Sequence, residues 1–221
     1  MMNSKTIEYT HGNVTFIGQL YWDESLAGKR PGIVVFPDAY GLGEQARQRA
    51  EQLAQLGYVA LAADFHGDGK LHEDLTTLGP AIQALYADRA GWRSRALAAL
   101  ETLVAQPHVD RRKTAAVGYC FGGTTCIELA RSGAPLTALV TFHAGLMPEL
   151  PEDAGRISAK VLICHGAADP IVKPDAIDAV MAEFRRDKID WQFVYYGNTV
   201  HSFTNPEAAR HNNPAFVYSA S

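Results

Sequence analysis

The 221-residue chain predicts an α/β fold: a predominantly parallel central sheet with helices on both faces. Two observations predict it. Short, continuous apolar runs such as IVVFP (33–37) and YVALAAD (58–64) read as strands covered on both sides, and segments of helical period lie between them. A third observation sets the extent. No internal repeat, linker or low-complexity segment interrupts residues 1–221, which are expected to form one domain.

The first strand is expected at 13–22, where alternation mixes with β-branched and aromatic residues before the turn-rich DESLAGKRPG. After the 33–37 strand, Ala46, Ala50, Leu53 and Leu56 make one face of a helix over 44–56, which Gly57 stops. The 58–64 strand follows, then two helices, at 75–86 and 89–106. Next come a strand at TAAVG (114–118), a helix over 122–131, and strands at ALVTFH (138–143) and KVLICHG (160–166). PDAIDAVMAEFRRD (174–187) opens with a proline suited to a first helical turn and repeats apolar residues at three and four, and DWQFVYY (190–196) alternates as a last strand. The tail NPEAARHNNPAFVYSAS shows no apolar helix.

Composition narrows the function classes. A net charge of −4 without a concentrated basic patch speaks against a nucleic-acid surface. No run approaches the ~20 apolar residues that span a bilayer, and the N-terminus lacks a signal-peptide pattern, so a cytoplasmic protein is expected. Three cysteines, Cys120, Cys126 and Cys164, cannot all pair with one another and form no CxxC, which supports neither a disulfide framework nor a zinc knuckle.

The sharpest local signal is VGYCFGG. It puts Cys120 between a strand and a helix with glycines on either side, the Gly-x-Cys-x-Gly form of a nucleophile elbow. There the amide of Phe121 would face a developing oxyanion and the helix start would favour a thiolate. The bland alternative is a buried free cysteine in a tight turn. Asp169 follows the 160–166 strand in a Gly- and Pro-bounded loop, and His201 follows the last strand after a small-residue turn. The order Cys120, Asp169, His201 is the chain order of α/β-hydrolase triads. Such a set lets imidazole take and return a proton while the carboxylate fixes its tautomer. Read structurally, Asp169 would be a turn residue and His201 a satisfied loop histidine.

The loop VVFPDAYGLGEQ contributes Ala39 as the second expected oxyanion-hole amide. Beside it, Asp38 is either an auxiliary carboxylate or a turn former, and Tyr40 either walls the pocket or packs. His66 and His143 are possible pocket residues, with packing as the alternative. His66 lies near Asp64 and Asp68, and with His143, His165, His201 and Asp169 these residues invite a metal reading, yet no HxH or HExxH spacing is present and no metal is expected. The glycines complete neither a P-loop nor a GxGxxG motif, and the cysteine placement does not suit a thiol peroxidase.

VVFPDAYGL, LAADFHGDG, VGYCFGG, HGAADPIV and YYGNTVHSFTNPEA, taken together, resemble the dienelactone hydrolase family of the α/β-hydrolase fold across nearly the whole chain. The resemblance implies a Cys120–Asp169–His201 triad that attacks an ester or lactone carbonyl, forms a thioester acyl-enzyme and uses no cofactor. It also implies that Asp38 stands where the family prototype has a glutamate that takes the thiol proton. Of the prototype's two substrate-holding arginines, the second is replaced by Asn205, and for the first the region 67–80 offers no clear match, with Arg89, Arg93 and Arg95 not aligned to it. A less acidic ester, lactone or thioester is therefore the expected small-molecule substrate. The rival class is a non-catalytic α/β-hydrolase scaffold with an inert Cys120.

Overall fold

The computed structural model describes residues 1–220. Its strands are β1 (Met2–His11), β2 (Val14–Asp23), β3 (Arg30–Phe36), β4 (Val59–Ala62), β5 (Val109–Tyr119), β6 (Ala138–Phe142), β7 (Lys160–Gly166) and β8 (Trp191–Tyr196). Its helices are α1 (Glu44–Gln55), α2 (Leu75–Ala87), α3 (Arg89–Val104), α4 (Phe121–Arg131) and α5 (Pro174–Arg186), with single helical turns at Pro151–Asp153 and Ala208–His211. The fold is of the α/β-hydrolase type, with a mixed, mostly parallel sheet and flanking helices. The chain forms two compact units, Met1–Val117 and the part that begins at Gly118.

In the first unit the strands lie in the order β1-β2-β4-β3-β5. β3 and β4 pair in parallel, Gly32 opposite Val59 through Val35 opposite Ala62. Their continuous apolar sequence has a direct physical counterpart, since Val34, Val35, Phe36 and Val59 to Ala62 are all fully buried. β2 joins β4 antiparallel and alternates as its sequence does, with Phe16, Gly18 and Leu20 buried. Helices α1 and α3 pack on this sheet, α3 through Trp92, Ala96, Ala99, Leu100 and Leu103.

Three expectations need adjustment here. β1 pairs with β2 antiparallel from Met2↔Asp23 to His11↔Val14, yet no strand is expected before residue 13. Its polar sequence buries only Tyr9, so apolar patterning gives no sign of it. The Gly12-Asn13 turn, with Gly12 at φ +58°, is the signal that betrays the hairpin. Ala54, not Leu56, completes the buried face of α1; the helix ends at Gln55, and Leu56 is a 75% exposed cap residue. β5 begins at Val109, five residues before the expected strand, because its exposed DRRK start carries no apolar pattern.

In the second unit β6, β7 and β8 are parallel neighbours. All 11 residues of α4 are buried, including two charged ones. Arg131 answers that burial completely: it bonds Glu128 (2.8 Å), both carboxylate oxygens of Glu183 on α5 (3.0 and 2.5 Å) and the Met147 carbonyl (3.0 Å). Only such full pairing offsets the desolvation of buried charges. The tail, expected to lack an apolar helix, instead makes a parallel bridge between Phe216 and His201, and Val217 and Ser219 donate to the carbonyls of His201 and Phe203 (3.2 and 3.0 Å). Its last residue, Ser221, lies outside the described residues.

Candidate active site

The turn between β5 and α4 is built from its glycines. A Cβ on Gly118 would lie 2.1 Å from the Gly122 carbonyl oxygen, and one on Gly123 would lie 2.7 Å from the Ala144 Cβ, so neither position accepts a side chain. Between them Cys120 is held at φ 52°, ψ −118°, a conformation costly for a residue with a Cβ. Its carbonyl accepts from Gly123 (3.0 Å) and Thr124 (3.2 Å), which starts the helix. Its own N–H is shared by the Phe142 carbonyl (3.0 Å) and Nδ1 of His143 (3.1 Å). The thiol is half-buried. Phe121 is the first residue of α4, so its amide belongs to the electropositive helix start.

Asp169 and His201 are brought together by the loops after β7 and β8. Gly166 ends β7 where a Cβ would stand 2.4 Å from the Thr199 carbonyl, and the Ala167 and Ala168 amides donate to Tyr196 and Thr199 (both 2.9 Å). That close crossing sets His201 Nδ1 2.7 Å from Asp169 Oδ2. The other Asp169 oxygen accepts from the Ile171 amide at 2.8 Å. Burial pushes the Asp169 carboxyl up, but the His201 contact and that amide bring it below the ordinary carboxylate value.

Burial likewise works against a charged His201, whose side chain is 2% exposed. The charge interaction with Cys120 and the bond to Asp169 outweigh it and raise the imidazole to about 10. His201 Nε2 is buried and has no partner of hydrogen-bond geometry, although the sulfur is near enough to act on the ring. The Cys120–His201 contact is therefore electrostatic, and catalytic hydrogen bonds are often unaligned before substrate binds. The arrangement can hold a thiolate–imidazolium pair with its far nitrogen fixed by a carboxylate.

His143 ends up beside this group. Its ring centroid lies 5.1 Å from that of His201, its Nε2 lies 2.8 Å from Thr204 Oγ1, and burial together with His201 holds it well below the usual histidine value. A backbone N–H only donates, so the bond to Cys120 requires Nδ1 unprotonated and places the proton on Nε2, facing Thr204. His165, on β7, is buried with Nδ1 unpartnered and is held neutral chiefly by burial. Cys126 is fully buried and its thiol is pushed far up; burial also raises Cys164, whose sulfur lies 3.7 Å from the Tyr196 hydroxyl.

The remaining candidates belong to the first unit. Asp38 caps its own loop through Oδ1 and the Tyr40 amide (3.0 Å), the turn-forming role, while the Tyr40 carbonyl accepts from the His72 amide (2.9 Å). His66 donates from Nε2 to the Ala39 carbonyl at 2.8 Å and is kept neutral mainly by burial. The loop carrying His66 hangs on Asp64, which sequence reasoning leaves without a role. Its buried carboxylate collects the amides of Ile17 (3.1 Å), His66 (2.9 Å), Gly67 (3.0 Å) and Gly69 (2.9 Å). Thr204 is likewise missed, although its position three residues after His201 is the available clue. Among the described residues, no three His, Cys, Asp or Glu side chains group as a metal site, and no helix is long and apolar enough to cross a membrane.

A strained cysteine at a strand-to-helix turn, beside a carboxylate-held imidazole, defines the class: a cysteine-based hydrolase of α/β-hydrolase type. The dienelactone hydrolase family model matches residues 18–220, and the chain belongs to that family. Among solved structures it is similar to m3DLH, 60% identical with a TM-score of 0.97, covering 99% of this chain and 91% of that one. A second, from metagenomic libraries, is described as the dienelactone hydrolase-like promiscuous phosphotriesterase P91; it is 57% identical, has a TM-score of 0.97 and is covered to 91% by 99% of this chain. An uncharacterised protein of Caenorhabditis elegans is 35% identical over 131 residues, 56% of this chain and 80% of that protein.

Proposed function

We propose that the protein hydrolyses small esters or lactones through a thioester on Cys120. The thiolate attacks the carbonyl carbon. Backbone N–H groups receive the oxyanion, that of Phe121 at the start of α4 and, as the sequence suggests, that of Ala39. His201, as imidazolium, gives its Nε2 proton to the departing alkoxide. It then takes a proton from water, which attacks the thioester and releases the acid and the thiolate. Asp169 holds Nδ1–H throughout. No step passes through a cofactor. Asp38 is read as an auxiliary carboxylate and Tyr40 as a pocket residue. Because the family match runs through both compact units, we read them as one catalytic domain.

The observation that carries this reading is the 2.7 Å Asp169–His201 pair beside the strained turn of Cys120. Asn205 at the place of the prototype's second arginine favours substrates without a free carboxylate. Mixing the enzyme with aryl acetates or an uncharged lactone and quenching early should give an intact mass increased by one acyl group, lost when Cys120 is alkylated. Turnover with no adduct, or an adduct on another residue, would refute it. A second reading has one support, the 57% identity to a protein described as a promiscuous phosphotriesterase. By that reading Cys120 also attacks the phosphorus of an activated phosphotriester, expelling the alcohol and leaving a phosphorylated sulfur. Incubation with an aryl dialkyl phosphate would show that adduct.

A further inference from the structure

We propose that His143 is a positioning residue for Cys120, accepting the backbone N–H of the cysteine itself while Thr204 holds its far nitrogen. The segment that carries His201 thereby also sets the attitude of the turn that carries the sulfur. This inference rests on the assignment of Cys120 as nucleophile.

A non-glycine residue at φ 52° keeps that conformation only where its surroundings over-determine it. Phe142 O and His143 Nδ1, at 3.0 and 3.1 Å, give one N–H two acceptors from adjacent residues. The imidazole supplies the second only if it is itself fixed. It is: the His143 amide donates to the Cys164 carbonyl (2.9 Å), Nε2–H reaches Thr204 Oγ1 (2.8 Å), and the ring is 1% exposed, edge-on to Phe203 at 5.2 Å. His143 also sits at φ 42°, so both ends of the contact are strained backbone.

Thr204 is fixed in turn, because the tail amides of Val217 and Ser219 bond the carbonyls of His201 and Phe203. Residues 201–204 therefore grip the site twice, through the His201 ring and through Thr204 and His143 to Cys120. This chain of contacts ends on the backbone N–H of Cys120. Its effect falls on the sulfur's position relative to His201 Nε2, where a shift of about 1 Å costs on the order of 100-fold in rate. The neutrality of His143, enforced by burial, agrees with an acceptor that must stay unprotonated at Nδ1.

The test compares His143→Leu, which removes the acceptor, with His143→Asn, whose side-chain oxygen can stand near the place of Nδ1. Ester turnover and the rate of Cys120 alkylation by iodoacetamide are read together. The leucine variant should lose about 10- to 100-fold in kcat with KM within about threefold, and its alkylation should slow in parallel. Asparagine should restore most of both. Thr204→Val should give a smaller loss that adds nothing when combined with His143→Leu.

Equal losses in the leucine and asparagine variants would overturn the proposal, since the acceptor would then not matter. So would a folded leucine variant with wild-type kcat and alkylation, or additive losses in the double variant. If the leucine variant does not fold, the asparagine and Thr204→Val proteins carry the test: an unimpaired Thr204→Val refutes it. Retained turnover in Cys120→Ala would instead strike the nucleophile assignment, a different result from any of these.

Discussion

The two ends of α4 hold charge in opposite ways. At its C-terminal end Arg131 is buried with every group answered, by Glu128, Glu183 and the Met147 carbonyl. At its N-terminal end the His201 ring is nearly as buried, beside a half-buried Cys120, but His201 Nε2 has no hydrogen-bond partner. A finished network holds a fold together; one left open toward a reactive sulfur is ready to exchange a proton. The Arg131 and His201 side chains are both buried, so the difference between these two lies in satisfaction, not in depth.

Substitutions at the open end should be the most costly for activity. Cys120→Ala should lower ester hydrolysis by about 10³-fold or more while leaving thermal unfolding close to that of the parent, as judged by kcat/KM and circular dichroism. Gly118→Ala joins the two properties. Its methyl would overlap the Gly122 carbonyl at 2.1 Å, so both turnover and melting temperature should fall together.

The closed end should do the reverse. Arg131→Met strands two buried glutamates and is expected to destabilise the protein by about 3–5 kcal/mol in urea unfolding, with activity per folded molecule near that of the parent. An equal drop in specific activity would show that the two ends are not separable.

Titration offers a finer separation. Imidazole resonances of His201 should titrate near 10, and because Cys120 contributes most to that elevation, Cys120→Ala should lower the value more than Asp169→Asn. The sign follows from the proposed mechanism: there His201 is protonated to expel the leaving group, so kcat should decline as pH rises through about 10. In Asp169→Asn that decline should begin at lower pH. An unmoved profile would mean that the carboxylate does not tune the base. The smallest effect is expected from a chelator, which should leave ester turnover unchanged; a loss reversed by added metal would call for a different reaction.

Much of this was legible in the sequence because the covalent neighbours of each group carry its signal. Glycines around Cys120 report a turn that cannot hold side chains, and apolar runs at β3 and β4 report strands buried on both sides. Asp169 and His201 are recognisable from their places just after strands. β1 was not legible in the same way: its sequence is polar, and its pairing with β2 comes through backbone hydrogen bonds that leave little residue pattern. Asp64 gave no sign of gathering four amides, because its partners include Ile17, 47 residues away.

The chain by itself determined the order of elements, the strained cysteine turn and the residue types able to move a proton at neutral pH, since these depend on local sterics and on side-chain chemistry. Only the tertiary structure decided that His201 meets Asp169, that His143 bonds the Cys120 amide and that Glu183 answers Arg131. Those contacts join residues 23 to 52 positions apart. Their energy depends on burial and distance, which no spacing along the chain contains.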